Sequence, residues 1–393
     1  MVLVDLIHSI KEMIAMSKLD QLIEKHCPNG VKYVAIKDYF TRLKGTPITA
    51  GKMKEIESVD GDIRIFAGGK TVINTHEEDI PNANITRVPA VLVQSRGVID
   101  FIYYEKPFTF KNEMWAYTSD NKVTVKYLYY VLRNNVQYFR DSASGMGSLP
   151  QISLCITEDF KIPVPPLEVQ SEIVKILDNF TELTAELTAE LTARKAQYKY
   201  YTELLLDFSP NTKCEWRTLN EIAENCDSKR KPVTKKNRTS GEYPYYGASG
   251  IVDYVDDYIF DGDYLLISED GANLLARVTP IVFSISGRNW VNNHAHVLHF
   301  DTYVTRRFVE FYLNHINLEK YISSAAQPKL TQDNLNKIPI PFPTIEEQTR
   351  IVSILDRFDK LCNDISVGIP AEIQARCNQY EYYRDLLLTF AEA

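Results

Sequence analysis

The six cysteines of this 393-residue chain include no pair at C-x-x-C spacing. Cys27, Cys155, Cys214, Cys226, Cys362 and Cys377 are scattered, which indicates neither a disulfide framework nor a zinc site and reads as reduced structural thiols. No apolar run approaches the roughly 18 residues of a membrane span. The opening MVLVDLIHSI carries Asp5 and His8 but no basic lead and no small-residue cleavage site, so a cytoplasmic location is expected. Basic residues are in deficit, 44 Lys and Arg against 52 Asp and Glu, for a net charge of −8. That balance argues against nucleic acid as a partner unless the charge is unevenly distributed. Catalytic motifs are missing too. Gly68-Gly69-Lys70-Thr71 resembles the end of a phosphate loop, but Arg64 stands where such a loop needs an earlier glycine. Gly145-Met146-Gly147 fails as a dinucleotide fingerprint because Pro150 takes the third glycine place. There is no nucleophile elbow, no Asn-Pro-Pro-Tyr or Asp-Pro-Pro-Tyr methylation motif, and no carboxylate pair at catalytic spacing. The chain is expected to perform no chemistry itself.

What is present is a long uninterrupted helical pattern over residues 166–208. Val169, Ile173, Ile176, Phe180, Leu183, Leu187, Leu191, Tyr198, Tyr201, Leu205 and Phe208 recur at steps of three and four, one face of a helix, with no proline or glycine after Pro166. Such a helix spans roughly 60 Å, more than a domain needs to cover its own core, and reads as a spacer. It contains two tandem Thr-Ala-Glu-Leu copies, Thr184–Leu187 and Thr188–Leu191. Each copy advances the helix by about 6 Å and slightly more than one turn, so spacing is adjustable in discrete steps.

The same text returns near the C-terminus. Ile162-Pro163-Val164-Pro165, Gln170 and Ile173–Phe180 reappear as Ile340-Pro341-Phe342-Pro343, Gln348 and Ile351–Phe358. Gln197–Leu206 then matches Gln379–Leu388 with four extra residues in the second copy, near Gly368-Ile369-Pro370, a pair of signals expected to end one helix and start another. An internal repeat of this length outranks local signals. Residues 3–25 read as an amphipathic helix whose end, Leu22–Asn29, parallels Leu204–Asn211, so the chain opens with the closing piece of a unit that begins at its other end. The stretches between are weakly but consistently parallel: Gly61–Phe66 against Gly241–Tyr246, Leu92–Gly97 against Leu266–Gly271, and Tyr127–Leu132 against Phe308–Leu313. Strands are expected at Val31–Ile36, Ile63–Phe66, Ala90–Gln94, Val98–Tyr104, Tyr264–Ser268 and Pro280–Ile285, and helices at Val125–Asn134 and Thr305–His315. The expected division is an N-terminal helix over 1–27, a globular domain over 28–165, the helical spacer 166–208, a second domain over 209–343 and a C-terminal helical region 344–393. The fold class is α+β, with two diverged copies of one mixed α/β domain.

One charge feature stands out against the acidic whole: Ser228–Arg238 holds Lys229, Arg230, Lys231, Lys235, Lys236 and Arg238 without an acid. The run reads either as a solvated loop or, followed by Tyr245, Tyr246 and the turn bearing Ser249, as phosphate-binding charge beside base-reading groups. Further candidates in the second domain are Arg288, Asn289, Asn292, Asn293, His294, Gln327 and Lys329. In the first domain they are Lys70, Arg96, Lys111, Asn112, Arg140, Ser142 and Ser144. Arg, Asn and Gln are the side chains that read bases bidentately. His294 and His296 admit a metal site, but no carboxylate or cysteine lies nearby in sequence, and a strand lining a binding face fits better. Acids crowd the spacer helix and residues 55–79, so the field is asymmetric and DNA affinity is expected to stay weak until a more basic partner joins.

Over essentially the whole chain these residues resemble the specificity (S) subunits of type I restriction-modification systems, most closely type IC. The likeness rests on the Ile-Pro-x-Pro-x-x-x-x-Gln lead into each helix, Ile-Val-x-Ile-Leu-Asp-x-Phe, the Gln-Tyr-x-Tyr-Tyr ending, the Thr-Ala-Glu-Leu repeats and Asn292–Leu298. The resemblance implies two target recognition domains separated by two long conserved helices that form an antiparallel coiled coil, in a pseudo-twofold circular arrangement closed by the N-terminal helix. Each domain would read one half of a split target in double-stranded DNA. Two modification subunits would dock on the helices and methylate adenine at N6, and two restriction subunits would add translocation and cleavage. No cofactor is expected in this chain; S-adenosylmethionine, ATP and Mg belong to the partner subunits. Ile173, Leu177, Phe180, Leu183, Leu187, Leu191, Ile351, Leu355 and Phe358 are expected to hold the two helices together. Two other readings stay open: an enzyme in its own right, against which the missing motifs argue, and an orphan or decoy DNA-binding scaffold without active partners.

Overall fold

The structure, a computed structural model, describes residues 18–145, 149–208, 214–323 and 327–393. Most of the expected N-terminal helix, Met146-Gly147 and Ser209–Asn211 lie outside the described residues. The chain divides into two compact units: the described residues up to Glu186 together with Ile373–Ala393, and the described residues from Leu187 to Glu372.

The spacer pattern folds as one helix, Leu167–Leu206, of 40 residues. Its threonines fit because the hydroxyls of Thr181, Thr184, Thr192 and Thr202 each donate to the carbonyl four residues earlier, at 2.8–3.0 Å. The helix gives its first half to the first unit and its second half to the other.

In the first unit a four-stranded antiparallel sheet runs in the order Thr41–Leu43, Trp115–Thr118, Ala90–Gln94, Asp100–Tyr104. Beside it lies a three-stranded sheet, Val72–Thr75, Ile63–Phe66, Phe108–Phe110, whose second pairing is parallel. Every residue of Ala90–Gln94 is buried, because Val91 and Val93 join the core that holds the helix Lys122–Asn134 while Ala90 and Leu92 face a second core with Phe66 and Phe108. A strand covered on both faces loses the polar–apolar alternation of a half-exposed one.

The second unit repeats this plan. Glu224–Asn225, Ala295–His299, Tyr264–Ser268 and Val282–Ile285 form the antiparallel sheet. Gly250–Val255, Ser240–Gly247, Arg288–Val291 and Phe260–Asp261 form the other, again with one parallel pairing, between Ser240–Gly247 and Arg288–Val291. Tyr303–His315 matches Lys122–Asn134 in length, 13 residues each. Even a close approach recurs: a Cβ on Gly61 or on Gly241 would lie 2.3 Å from the backbone of Thr75 or Asp256, so only glycine fits either place.

The C-terminal region is two helices, Ile345–Asn363 and Ile369–Leu387. The expected break at Gly368 is enforced, since a Cβ there would sit 2.6 Å from the Asp364 and Lys360 carbonyls. The C-terminal residues return to Val31 within the first unit, where Val31 N–H donates to Ala391 O at 2.9 Å and Ala393 N–H to Val31 O at 3.1 Å. Leu19, Leu387 and Leu388 share that unit's main core.

The residues expected to pair the helices divide between the two units. Ile173, Leu177 and Phe180 lie in the first unit's core together with Leu387 and Leu388 of the C-terminal region, and Ile351 and Leu355 lie in the second's together with Leu206 of the long helix. In each unit a phenylalanine of one helical region meets the tyrosine-rich segment of the other. Phe180 stacks on Tyr383 at 5.6 Å, and Phe358 on Tyr201 at 5.4 Å, equivalent pairs in the repeat. Leu183, Leu187 and Leu191 are only half-buried and belong to none of the buried clusters. An ion pair also recurs, Lys126 with Asp178 at 2.8 Å and Arg307 with Asp356 at 2.7 Å, tying each domain helix to a helix of the repeat.

Candidate nucleic-acid interface

In the second unit the basic run folds with its arginines inward and its lysines outward. Arg230, its side chain 13% exposed, pairs with Asp227 at 3.2 Å and Glu269 at 2.6 Å and donates to Ala295 O at 2.8 Å. Arg238 pairs with Asp253 at 3.0 Å and lies over the Tyr245 ring at 4.2 Å. Tyr245 is buried, with its hydroxyl bonded to the backbone of Val233. Trp290 Nε1 donates to Lys231 O at 2.6 Å and pins the middle of the run. Lys229, Lys231, Lys235 and Lys236 remain exposed.

Arg230 and Arg238 and Tyr245 are therefore corrected from candidate contacts to supports of the loop that carries the lysines. Two asparagines are corrected in the same way. Asn289 is fully buried and donates to Gly287 O at 2.8 Å, and Asn292 is buried with its side-chain oxygen accepting from His294 N–H at 2.8 Å. Tyr246 is half-buried against Phe283, and burial pushes its phenol up. Ser249, Arg288, Asn293, His294, Gln327 and Lys329 are exposed. Arg288 leans on Asp261 at 3.3 Å and over the Tyr258 ring, and His294 Nδ1 lies 2.8 Å from Asp270.

Beneath these groups sits a buried ionic knot that sequence reasoning missed. His296, 1% exposed, places Nδ1 2.6 Å from Asp227 and Nε2 2.8 Å from Leu330 O, so both ring nitrogens are engaged. Glu269 bridges Arg230 at 2.6 Å and Lys329 at 3.0 Å. Burial alone would raise both carboxyls. His296, Val297 N–H and Arg230 hold Asp227 below the ordinary carboxylate range, and Arg230, Lys329 and His296 do the same for Glu269. The supporting carboxylates absent near His296 in sequence are thus present in space, yet among the described residues no group of three or more such side chains could hold a metal ion. The alignment of Leu266–Gly271 with Leu92–Gly97 was the available signal, since it sets Glu269-Asp270 against Ser95-Arg96.

In the first unit Lys70, Arg96 and Ser144 converge. Gly69 N–H donates to Arg96 O at 3.3 Å, and Gln151 bridges to both Arg96 and Ser144. All three candidate side chains are exposed. Asn112, also exposed, lines a separate pocket of about 430 Å³ with Arg42, Lys44 and Asn84, which sequence reasoning did not single out. Lys111 is committed to Glu113 at 3.0 Å, Ser142 Oγ donates to Tyr138 O at 2.7 Å, and exposed Arg140 donates to Ile99 O at 3.2 Å.

The model of the type I restriction modification DNA specificity domain matches this chain twice, over residues 28–194 and 211–375. The chain belongs to this family. The EcoR124I/EcoR124II specificity subunit of Escherichia coli is 34% identical over 365 residues, 84% of this chain and 87% of that one. A type I restriction enzyme specificity subunit of Haemophilus influenzae is 38% identical over 196 residues, 49% of this chain; the match spans half the length of that relative. The crystal structure of a type I restriction-modification S subunit from M. genitalium superposes with a TM-score of 0.66 at 17% identity, over 92% of this chain and 97% of that one, a likeness of fold. The two family matches each take in one copy of the domain and part of the helical repeat. For a specificity subunit this division sets the shared framework against loops that differ between the copies. Among the described residues no helix is long and apolar enough to cross a membrane.

Proposed function

We propose that this chain is the sequence-reading subunit of a type I restriction-modification complex, in which residues 28–165 and 209–343 are two target recognition domains that each read one half of a split target in double-stranded DNA. One observation carries the reading: the four-stranded antiparallel sheet and its 13-residue helix recur in both domains, while the segments between them differ, as where Ser95-Arg96 stands against Glu269-Asp270. A shared framework with divergent loops is what two different base sequences read by one architecture require. In this reading Lys229, Lys231, Lys235 and Lys236 neutralise phosphates. Asn293, His294 and Gln327 in one domain, and Arg96, Asn112 and Ser144 in the other, approach base edges.

Exposed apolar residues recur in the helical repeat. Tyr382 and Leu386 are 66% and 53% exposed in the first unit, and their equivalents Tyr200 and Leu204 are 60% and 57% exposed in the second. Two equivalent apolar patches suit two copies of one partner, here the modification subunits, which supply the chemistry with S-adenosylmethionine. ATP and Mg act in the restriction subunits. The test is an exchange of residues 31–160 for the corresponding segment of a family member with a known target. The methylated sequence is expected to change in one half-site only; a change in both, or in the gap alone, contradicts the assignment.

A further inference from the structure

We infer that Asp227, Arg230, Glu269 and His296 are positioning residues for base reading by the second domain, setting its specificity without touching DNA. The inference rests on the sequence-reading function proposed above. The knot ties four separate segments: the start of the basic run, the turn Glu269–Gly271, the strand Ala295–His299 and the stretch at Leu330. Every exposed candidate adjoining those segments, Lys229, Lys231, Asn293, His294 and Lys329, projects from this base.

The first unit shows that the fold does not need the charges. There Ile152 N–H donates to Ser95 O at 2.9 Å and Gly97 N–H to Pro150 O at 2.9 Å; in the second, Leu330 N–H donates to Glu269 O at 2.8 Å and Gly271 N–H to Pro328 O at 3.2 Å. The backbone joint is the same. In the first unit it is completed by a neutral bond, Ser95 Oγ to Glu113 O at 2.6 Å, and in the second by the ion network. Buried ions are a poor way to gain stability, because desolvation offsets much of their attraction, but they fix geometry through directional charge-assisted bonds. Glu269 extends that order to the surface, since its backbone N–H binds His294 O at 2.9 Å and its carboxylate holds Lys329.

The experiment is to map methylated sites in cells that contain a modification subunit together with the wild-type chain, Glu269→Gln, or the double variant Arg230→Gln/Glu269→Gln. The double variant leaves no lone buried charge. The expected result is that discrimination between bases falls about tenfold or more at positions of one half-site, the scale of a lost base contact, with the gap and the other half-site unchanged. Unaltered preference in both variants overturns the inference, as does equal relaxation of both half-sites. If Glu269→Gln yields no soluble chain, the double variant decides by the same criteria. A wild-type chain that directs no split motif overturns the underlying function, an outcome distinct from a wild-type motif that the variants leave intact.

Discussion

Arg230 and Arg238 turn inward while four lysines of the same loop face solvent, and the division follows from side-chain chemistry. A guanidinium offers a planar fork that pairs with carboxylates and stacks on rings, and it is more weakly hydrated than an ammonium group, so it tolerates burial better. Asp227 and Glu269, the partners of Arg230, have carboxyls held below the ordinary range. The unfolded chain therefore binds more protons than the folded one in the window between folded and unfolded values. Their contribution to stability is present above about pH 4 to 4.5 and is lost as pH falls through the folded values. In acid titrations followed by denaturant melts, Glu269→Gln is expected to lose stability less steeply than wild type between about pH 5 and 3; identical slopes would remove the ion network from the stability account. The basic run was legible in the sequence as charge. Which of its residues stay free was not, because their partners Asp253 and Glu269 lie 15 and 39 residues away.

At the scale of elements, the 40-residue helix was readable almost to its ends, since periodicity and the absence of glycine and proline act locally. The break at Gly368 was readable for the same reason. What its faces touch was not: an apolar stripe specifies burial, not the partner, so the domain residues that share a core with Ile173 and Ile351 could not be read from it. Fully buried strands such as Ala90–Gln94 were found by composition, whereas short ones such as Thr41–Leu43, with two exposed residues, carry too little pattern to be seen. The tandem tetrapeptide makes a prediction of its own. Deleting Thr184–Leu187 removes about 6 Å of helix, so the gap between half-sites should shorten by about one or two base pairs while both half-sites persist. A methylated sequence with an altered half-site and the original gap would remove the spacer role.

For the whole molecule, the internal repeat offers two equivalent surfaces, which under the proposed function would receive two copies of one partner. Replacing Tyr382 and Leu386 by glutamate, or Tyr200 and Leu204, should each release one modification subunit from a complex of two, read as a loss of one subunit's mass by native mass spectrometry. Retention of both in either variant would place docking elsewhere. The central claim is that this chain chooses the DNA sequence for a partner that methylates it. The most direct measurement is a genome-wide map of N6-methyladenine in cells carrying the modification subunit, with and without this chain. A split motif with a fixed gap, methylated only when the chain is present, is the predicted result; identical maps in the two cell lines would contradict it.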